Sequence, residues 1–114
     1  MFAFGISWRH YLRQFEAEKM KIFISQPMRG IPEEAILAKR ADAINLLILT
    51  YPDAIFLDSW IDECGITAAQ CLGRSIYIMG NADLVVFLPG WSDARGCRME
   101  EQIAYAYGIR RMYL

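Results

Sequence analysis

The chain has 114 residues, of which 55% are hydrophobic and 22% are charged, and its formal net charge is −1. This length and composition predict one domain with a continuous core. The near-neutral charge argues against nucleic acid as a main partner. Three cysteines without a CxxC pair fit neither a disulfide framework nor a zinc site, so we expect a cytoplasmic protein. No apolar run reaches the roughly 20 residues that span a bilayer, so we expect no membrane partner.

Residues 1–20 differ from the rest of the chain. Trp8, Leu12 and Phe15 recur at helical spacing among charged residues, which predicts an amphipathic arm. Either this arm docks on the domain or on a partner subunit, or Met20 is the natural start and the preceding residues are a dispensable extension.

From residue 21 onward, the pattern alternates between strand and helix. Apolar, β-prone runs predict strands at residues 21–25, 54–57, 83–88 and 111–114. Apolar residues at helical spacing predict helices at residues 32–51, 67–79 and about 98–107. In the third helix, Met99, Ile103, Ala106 and Tyr107 are expected on the buried side, with Gly108 as the C-terminal stop.

Strands that alternate with helices through short loops indicate a parallel sheet with right-handed crossovers and helices on both faces. We therefore predict that residues 21–114 form one α/β domain with a small three-layer Rossmann-like (flavodoxin-like) fold and a mainly parallel sheet of four to five strands. Ligands of such folds bind outside the carboxyl ends of the strands. The loops at these ends are residues 26–30, 58–60 and 90–96.

Glu100 is the best candidate catalytic residue. It follows Gly96 by about one helical turn, so its carboxylate is expected beside backbone N–H groups that can hold a polar ligand. The alternative is that Glu100 and Glu101 are a solvated pair that only favours the positive end of the helix. Cys97 lies where a thiolate is favoured, but no histidine is near it in the sequence to act as a base, so a cysteine nucleophile is disfavoured.

Four segments carry a resemblance that covers nearly the whole chain from residue 21. They read ISQPMRG at residues 24–30, NADLVV at 81–86, LPGW at 88–91, and GCRME at 96–100 with Ala104 following. Together they resemble the small phage and bacterial proteins grouped as DUF4406, which are in turn similar to the nucleoside 2-deoxyribosyltransferases. In those transferases, the glutamate of a Gly-Thr-x-x-Glu segment attacks the anomeric carbon of a nucleoside and forms a covalent glycosyl-enzyme. Glu100 falls on that glutamate.

The departing base needs a proton from a second acid. The transferases usually have an aspartate eight residues before the position of Asp83, and this chain has Ser75 there. Asp93 and Asp58 are the candidate replacement acids, because both fall in predicted loops at the ligand-binding end of the sheet. The alternative is that each only caps a helix or solvates a turn.

The resemblance also implies ligand contacts from these loops. Arg29 is the candidate phosphate ligand because its guanidinium fork matches phosphate oxygens, and the alternative is an ion pair with Glu33 or Glu34. Trp60 and Trp91 either sandwich a base or serve only in packing. The predicted binding residues are Ser25, Gln26, Met28, Arg29, Gly30, Trp60, Gly90, Trp91, Ser92 and Gly96.

The predicted function is cleavage or exchange of the N-glycosidic bond of a nucleoside or nucleotide, with Glu100 as nucleophile and no metal or organic cofactor. The alternative, which Ser75 favours, is a catalytically inactive module that senses or sequesters a nucleotide. A homo-oligomer is also expected, since the transferases form oligomers and the arm carries apolar residues.

Overall fold

The computed structural model describes residues 19–58 and 66–114. The predicted arm, up to residue 18, and Trp60 lie outside the described residues. The elements are β1 (Lys21–Ser25), α1 (Glu33–Thr50), β2 (Ile55–Phe56), α2 (Ala68–Met79), β3 (Leu84–Phe87), a short 3₁₀ helix (Trp91–Asp93), α3 (Arg95–Ala106) and β4 (Arg110–Tyr113). Most boundaries lie within one or two residues of the predicted ones, but α3 begins at Arg95, three residues before its predicted start.

The four strands form one sheet in the order β2-β1-β3-β4, and every neighbouring pair is parallel. At the centre, Ile22 of β1 lies opposite Leu84 of β3, and Ser25 lies opposite Phe87. Both central strands are covered on both faces, which is why their sequences are almost uninterrupted apolar runs. The predicted parallel α/β sheet is confirmed.

The three helices divide between the two faces of the sheet. Ala43 and Leu47 of α1 pack against one face, while Met79 of α2 and Ala104 of α3 pack against the other. The connection after β1 therefore leads to β2 on one side of β1, and the connection after β2 runs back to β3 on the other side of β1. Such a reversal creates a crevice between the carboxyl ends of β1 and β3, which is where doubly wound folds bind ligands. Within the described ranges, no helix is long and apolar enough to cross a membrane.

The ends of α2 and α3 follow from local chemistry. Thr67 caps α2: its hydroxyl accepts a hydrogen bond from the Gln70 backbone N–H at 3.1 Å, and the Gln70 side chain accepts one from the Thr67 backbone N–H at 2.8 Å. After α3, Gly108 adopts the left-handed region with φ of 70°, as the predicted helix stop requires.

The buried face of α3 differs from the predicted one. Met99 is 41% exposed and Tyr107 is 80% exposed, whereas the buried residues of this helix are Cys97, Glu100 and Ala104. These three recur at helical spacing and are mostly small, so α3 packs closely on the sheet along this stripe. Of the other two residues predicted to be buried, Ile103 is half-buried and packs against the core, whereas Ala106 is exposed. The helix consequently turns Glu100 inward.

Candidate functional site

Glu100 is buried, with 6% of its surface exposed. Its Oε1 accepts a hydrogen bond from Ser25 Oγ at 2.9 Å, and its Oε2 accepts one from Ser75 Oγ at 2.6 Å. Burial raises the pKa of Glu100, while the hydrogen bonds from Ser75 and Ser25 act in the opposite direction. The alternative of a solvated carboxylate is therefore wrong for Glu100.

Three elements bring these side chains together at the crevice between β1 and β3. Ser25 ends β1 and is 1% exposed; it points to the same face of the sheet as Phe23, which is the face that α2 and α3 cover. Glu100 enters from the second turn of α3, and Ser75 from the middle of α2. The structure thus brings Ser25, a predicted ligand contact, into direct hydrogen bonding with Glu100, the predicted nucleophile.

α2 and α3 lie on the same face of the sheet, so Ser75 can reach Glu100. A Cβ added to Gly96, in the first turn of α3, would lie 4.0 Å from Leu72 Cδ1 of α2. About one turn farther along both helices, the Ser75 hydroxyl meets the carboxylate. Gly96 therefore faces Leu72 of α2, one turn before Glu100. Its contact with a ligand stays a prediction.

Cys97 adjoins the same cluster but is a poor nucleophile. Burial raises its pKa to about 11, a hydrogen bond with Ser25 lowers it, and the charge of Glu100 raises it. The thiol therefore stays protonated at neutral pH, and the expectation that a thiolate is favoured at this helix start is wrong. Burial raises the pKa of this thiol by more than the positive end of the helix lowers it.

Gln26 follows Ser25 but serves the opposite face of the sheet. It is buried, and its Nε2 donates a hydrogen bond to the carbonyl of Ile36 in α1 at 3.0 Å. Within the described part of the chain, its Oε1 has no hydrogen-bond partner. This acceptor is available to a donor group at the carboxyl end of β1.

The loops after β1 and β3 touch each other. Gly90 has φ of 89°, and a Cβ added there would lie 3.4 Å from Cγ of Pro27. Next to Pro27, Met28 is half-buried, while Gly30 is exposed and has φ of 76°. The left-handed conformations of both glycines explain why these positions cannot readily carry a side chain.

Arg29 is exposed in the loop after β1. Among residues 19–58 and 66–114, the structure shows no ion pair between Arg29 and either Glu33 or Glu34. The alternative of a local ion pair is therefore not observed, and the phosphate-binding role stays a prediction.

The two candidate replacement acids are exposed, and neither is hydrogen-bonded to Glu100. Asp93 ends the 3₁₀ helix, where its backbone N–H donates to the Gly90 carbonyl at 3.1 Å. Asp58 follows β2 and acts on Arg40 of α1: burial lowers the pKa of Arg40, and the charge of Asp58 partly offsets this effect. Their catalytic roles stay predictions.

The remaining predicted contacts lie near the start of α3. Trp91 is half-buried, and its ring centroid lies 5.4 Å from those of Phe87 and Tyr113. Packing thus accounts for Trp91, and its stacking on a base stays a prediction. The Ser92 carbonyl accepts a hydrogen bond from Arg98 Nη1 at 3.0 Å.

Ser75 is the site residue that the predicted set omits. The sequence marks it only as a departure from a family aspartate, whereas the structure makes it a direct partner of the carboxylate. One signal was available: Leu72, Ser75 and Met79 are spaced i, i+3 and i+7, so Ser75 is a hydroxyl on the inward stripe of an apolar helix.

Fold and site together define a small doubly wound α/β domain that holds a buried carboxylate, bonded to two serine hydroxyls, at the switch point of its sheet. Residues 20–113 match the family described as domain of unknown function DUF4406, so the chain belongs to that family, as predicted. No curated protein and no solved structure matches the chain.

Proposed function

We propose that this protein cleaves or exchanges the N-glycosidic bond of a nucleoside or nucleotide, with Glu100 as the nucleophile. The observation that carries the proposal is the buried Glu100 carboxylate beside the end of β1, held through both oxygens by Ser25 and Ser75. Carboxylates are seldom buried unless they are paired, and one with a raised pKa at the carboxyl ends of parallel strands is a candidate for catalysis.

The chemistry suits a desolvated carboxylate. As the bond between the anomeric carbon and the base weakens, positive charge develops on the sugar, and Glu100 stabilises this charge and then forms the glycosyl ester. The serine hydroxyls fix the carboxylate in one orientation, which limits the reorganisation needed during the reaction. The departing base keeps the electron pair of the broken bond, and a base that is neutral in the nucleoside takes a proton from one of the candidate acids, Asp93 or Asp58. Water or a second base then attacks the anomeric carbon and releases Glu100.

A nucleotide-binding module without catalytic activity is the second candidate. Ser75 favours it, because a serine hydroxyl stands beside Oε2 at the sequence position where the resemblance to the nucleoside 2-deoxyribosyltransferases implies an aspartate. In such a module, the pocket would bind the nucleotide while its glycosidic bond stays intact.

Chromatographic detection of free base, released from a panel of nucleosides and nucleotides, tests the proposal. We expect release by the parent protein and its loss in both Glu100→Ala and Glu100→Gln. The matched control is Glu101→Gln on the same helix, because Glu101 pairs instead with Arg111 at 3.4 Å and with the Tyr113 hydroxyl at 2.9 Å. Release that persists in the Glu100 variants would refute the assignment of the nucleophile.

Binding measurements separate the two candidates. No release from any member of the panel, together with nucleotide binding by calorimetry, would refute the enzyme and support the binding module. For an active protein, intact mass spectrometry with a 2′-fluorinated nucleoside should show one added glycosyl group, because the fluorine slows hydrolysis of the ester. This addition should be absent in Glu100→Gln and present in Glu101→Gln.

We also propose that the protein self-associates and works in the cytoplasm. Around α1, Leu37, Leu46 and Leu49 are exposed by 46%, 53% and 78%, and contact with a second copy of the chain would cover such apolar side chains. The buried Cys97 thiol is not part of a disulfide, which fits a reducing compartment. Sedimentation at several concentrations tests the oligomer, and a mass that stays monomeric at all of them would refute it.

A further inference from the structure

The charge of Glu100 has no cationic partner among the described residues. Its two hydrogen-bond donors, Ser25 and Ser75, are neutral hydroxyls. Arg98, two residues before Glu100, donates instead to the Ser92 carbonyl, and Arg111 pairs with Glu101. An ionised Glu100 is therefore a buried negative charge that hydroxyl dipoles solvate and that no cation of residues 19–58 and 66–114 balances.

A buried charge of this kind is costly, and a cation placed beside it removes part of the cost. A metal ion is one source of positive charge, but no group of three His, Cys, Asp or Glu side chains suited to a metal occurs within residues 19–58 and 66–114. A positive charge on an organic ligand needs only the one carboxylate. The site is thus electrostatically complementary to a cationic ligand that presents its charge next to Glu100.

The Ser75 hydroxyl beside Glu100 also favours a cationic ligand. A neutral base leaves a sugar readily only when an acid protonates it. The serine hydroxyl beside Oε2 is not such an acid at neutral pH, and the exposed Asp93 and Asp58 are not hydrogen-bonded to Glu100. A base that already carries a positive charge leaves as a neutral molecule. The Ser75–Glu100 pair therefore suits the departure of a cationic base.

We propose that the ligand of this site is a nucleoside or nucleotide whose base is positively charged, such as an N7-alkylated purine or an N-glycosylated pyridinium. This inference rests on the proposed function, from which it takes the nucleoside as ligand. One Glu100 oxygen bonds to the anomeric carbon while the carbon–nitrogen bond breaks. The electron pair of that bond returns to the ring nitrogen and cancels its charge, so no proton moves. Water then displaces Glu100 and gives its proton to solvent.

Calorimetric binding of two matched pairs tests this inference: 7-methylguanosine against guanosine, and nicotinamide riboside against its uncharged dihydro form. Each pair differs mainly in charge, and the two pairs together remove any preference for a purine or a pyridine ring. In at least one pair, we expect the parent protein and Glu101→Gln to bind the cationic member about 10-fold more tightly or better, and Glu100→Gln to lose this preference.

Three results would overturn the inference: equal affinity for the charged and neutral members, no binding of any of the four compounds, or a preference that survives in Glu100→Gln. The outcomes also separate it from the proposed function. Cation-selective binding without base release would refute the enzyme but support this inference. Equally fast release from neutral and cationic nucleosides would support the enzyme and overturn this inference.

Discussion

Replacing Glu100 by glutamine should make the protein more stable at alkaline pH and leave it nearly unchanged in acid. Burial raises the pKa of Glu100 in the folded protein above the ordinary value of 4.5. Folding therefore favours the protonated side chain. The stability that this group contributes is fully present below the unfolded pKa and is lost as pH rises through the folded pKa. Glutamine is neutral at every pH, so the Glu100→Gln variant becomes more stable than the parent protein as the pH rises above about 4.5.

The size of the effect follows from the contacts of the carboxylate. Glutamine has the shape of a protonated glutamate, and either serine hydroxyl can rotate to accept a hydrogen bond from its amide nitrogen. Both hydrogen bonds are therefore kept while the buried charge is removed. Replacing a buried functional group in this way commonly stabilises a protein by about 0.5–2 kcal/mol. We expect that gain at about pH 8 and close to none at about pH 4.

Urea denaturation of the parent, Glu100→Gln and Glu101→Gln at both pH values measures the difference. The control should change in the opposite direction at alkaline pH: Glu101 loses its ion pair with Arg111, for which we expect a cost of about 0–1 kcal/mol. If Glu100→Gln is less stable than the parent at about pH 8, the serine hydroxyls more than compensate for burial, and the reasoning is refuted.

Three further substitutions test single contacts by urea denaturation. Ser75→Ala should raise the pKa of Glu100 further and cost about 1–3 kcal/mol at alkaline pH, because the charged oxygen loses its 2.6 Å hydrogen bond; an unchanged pH dependence of stability would contradict this. Gly90→Ala should cost about 1–2 kcal/mol, since φ is 89°, and an unaltered denaturation midpoint would show that the loop relaxes. Thr67→Ala should cost about 1 kcal/mol through loss of the capping box of α2, whereas Thr67→Ser should restore most of it.

The sequence predicted the elements of the fold because each has a strong local signal. The uninterrupted apolar run around Leu84–Phe87 is typical of a central parallel strand, and that strand is buried on both faces. Gly108 marked the end of the third helix through its backbone conformation, which depends on a few neighbouring residues. The alternation of such elements was sufficient to predict a parallel sheet.

The rotation of α3 was predicted incorrectly for a physical reason. Hydrophobicity favoured Met99 and Tyr107 as buried residues, but in the folded chain the smaller Cys97 and Ala104 allow the helix to approach the sheet closely. Glu100 lies on the same stripe and is buried because Ser25 and Ser75 provide hydrogen bonds. Periodicity alone does not contain this information, since the donors come from distant parts of the chain.

By itself, the sequence determined that this protein is a parallel α/β domain, and that Ser25 and Glu100 lie toward the carboxyl ends of its strands, because local propensities and the geometry of parallel sheets fix these features. The resemblance of four segments identified the DUF4406 family. Only the tertiary structure decided that Glu100 is buried and that Ser75 binds it, because that contact joins residues 25 positions apart on two different helices. Packing between α2 and α3 creates it.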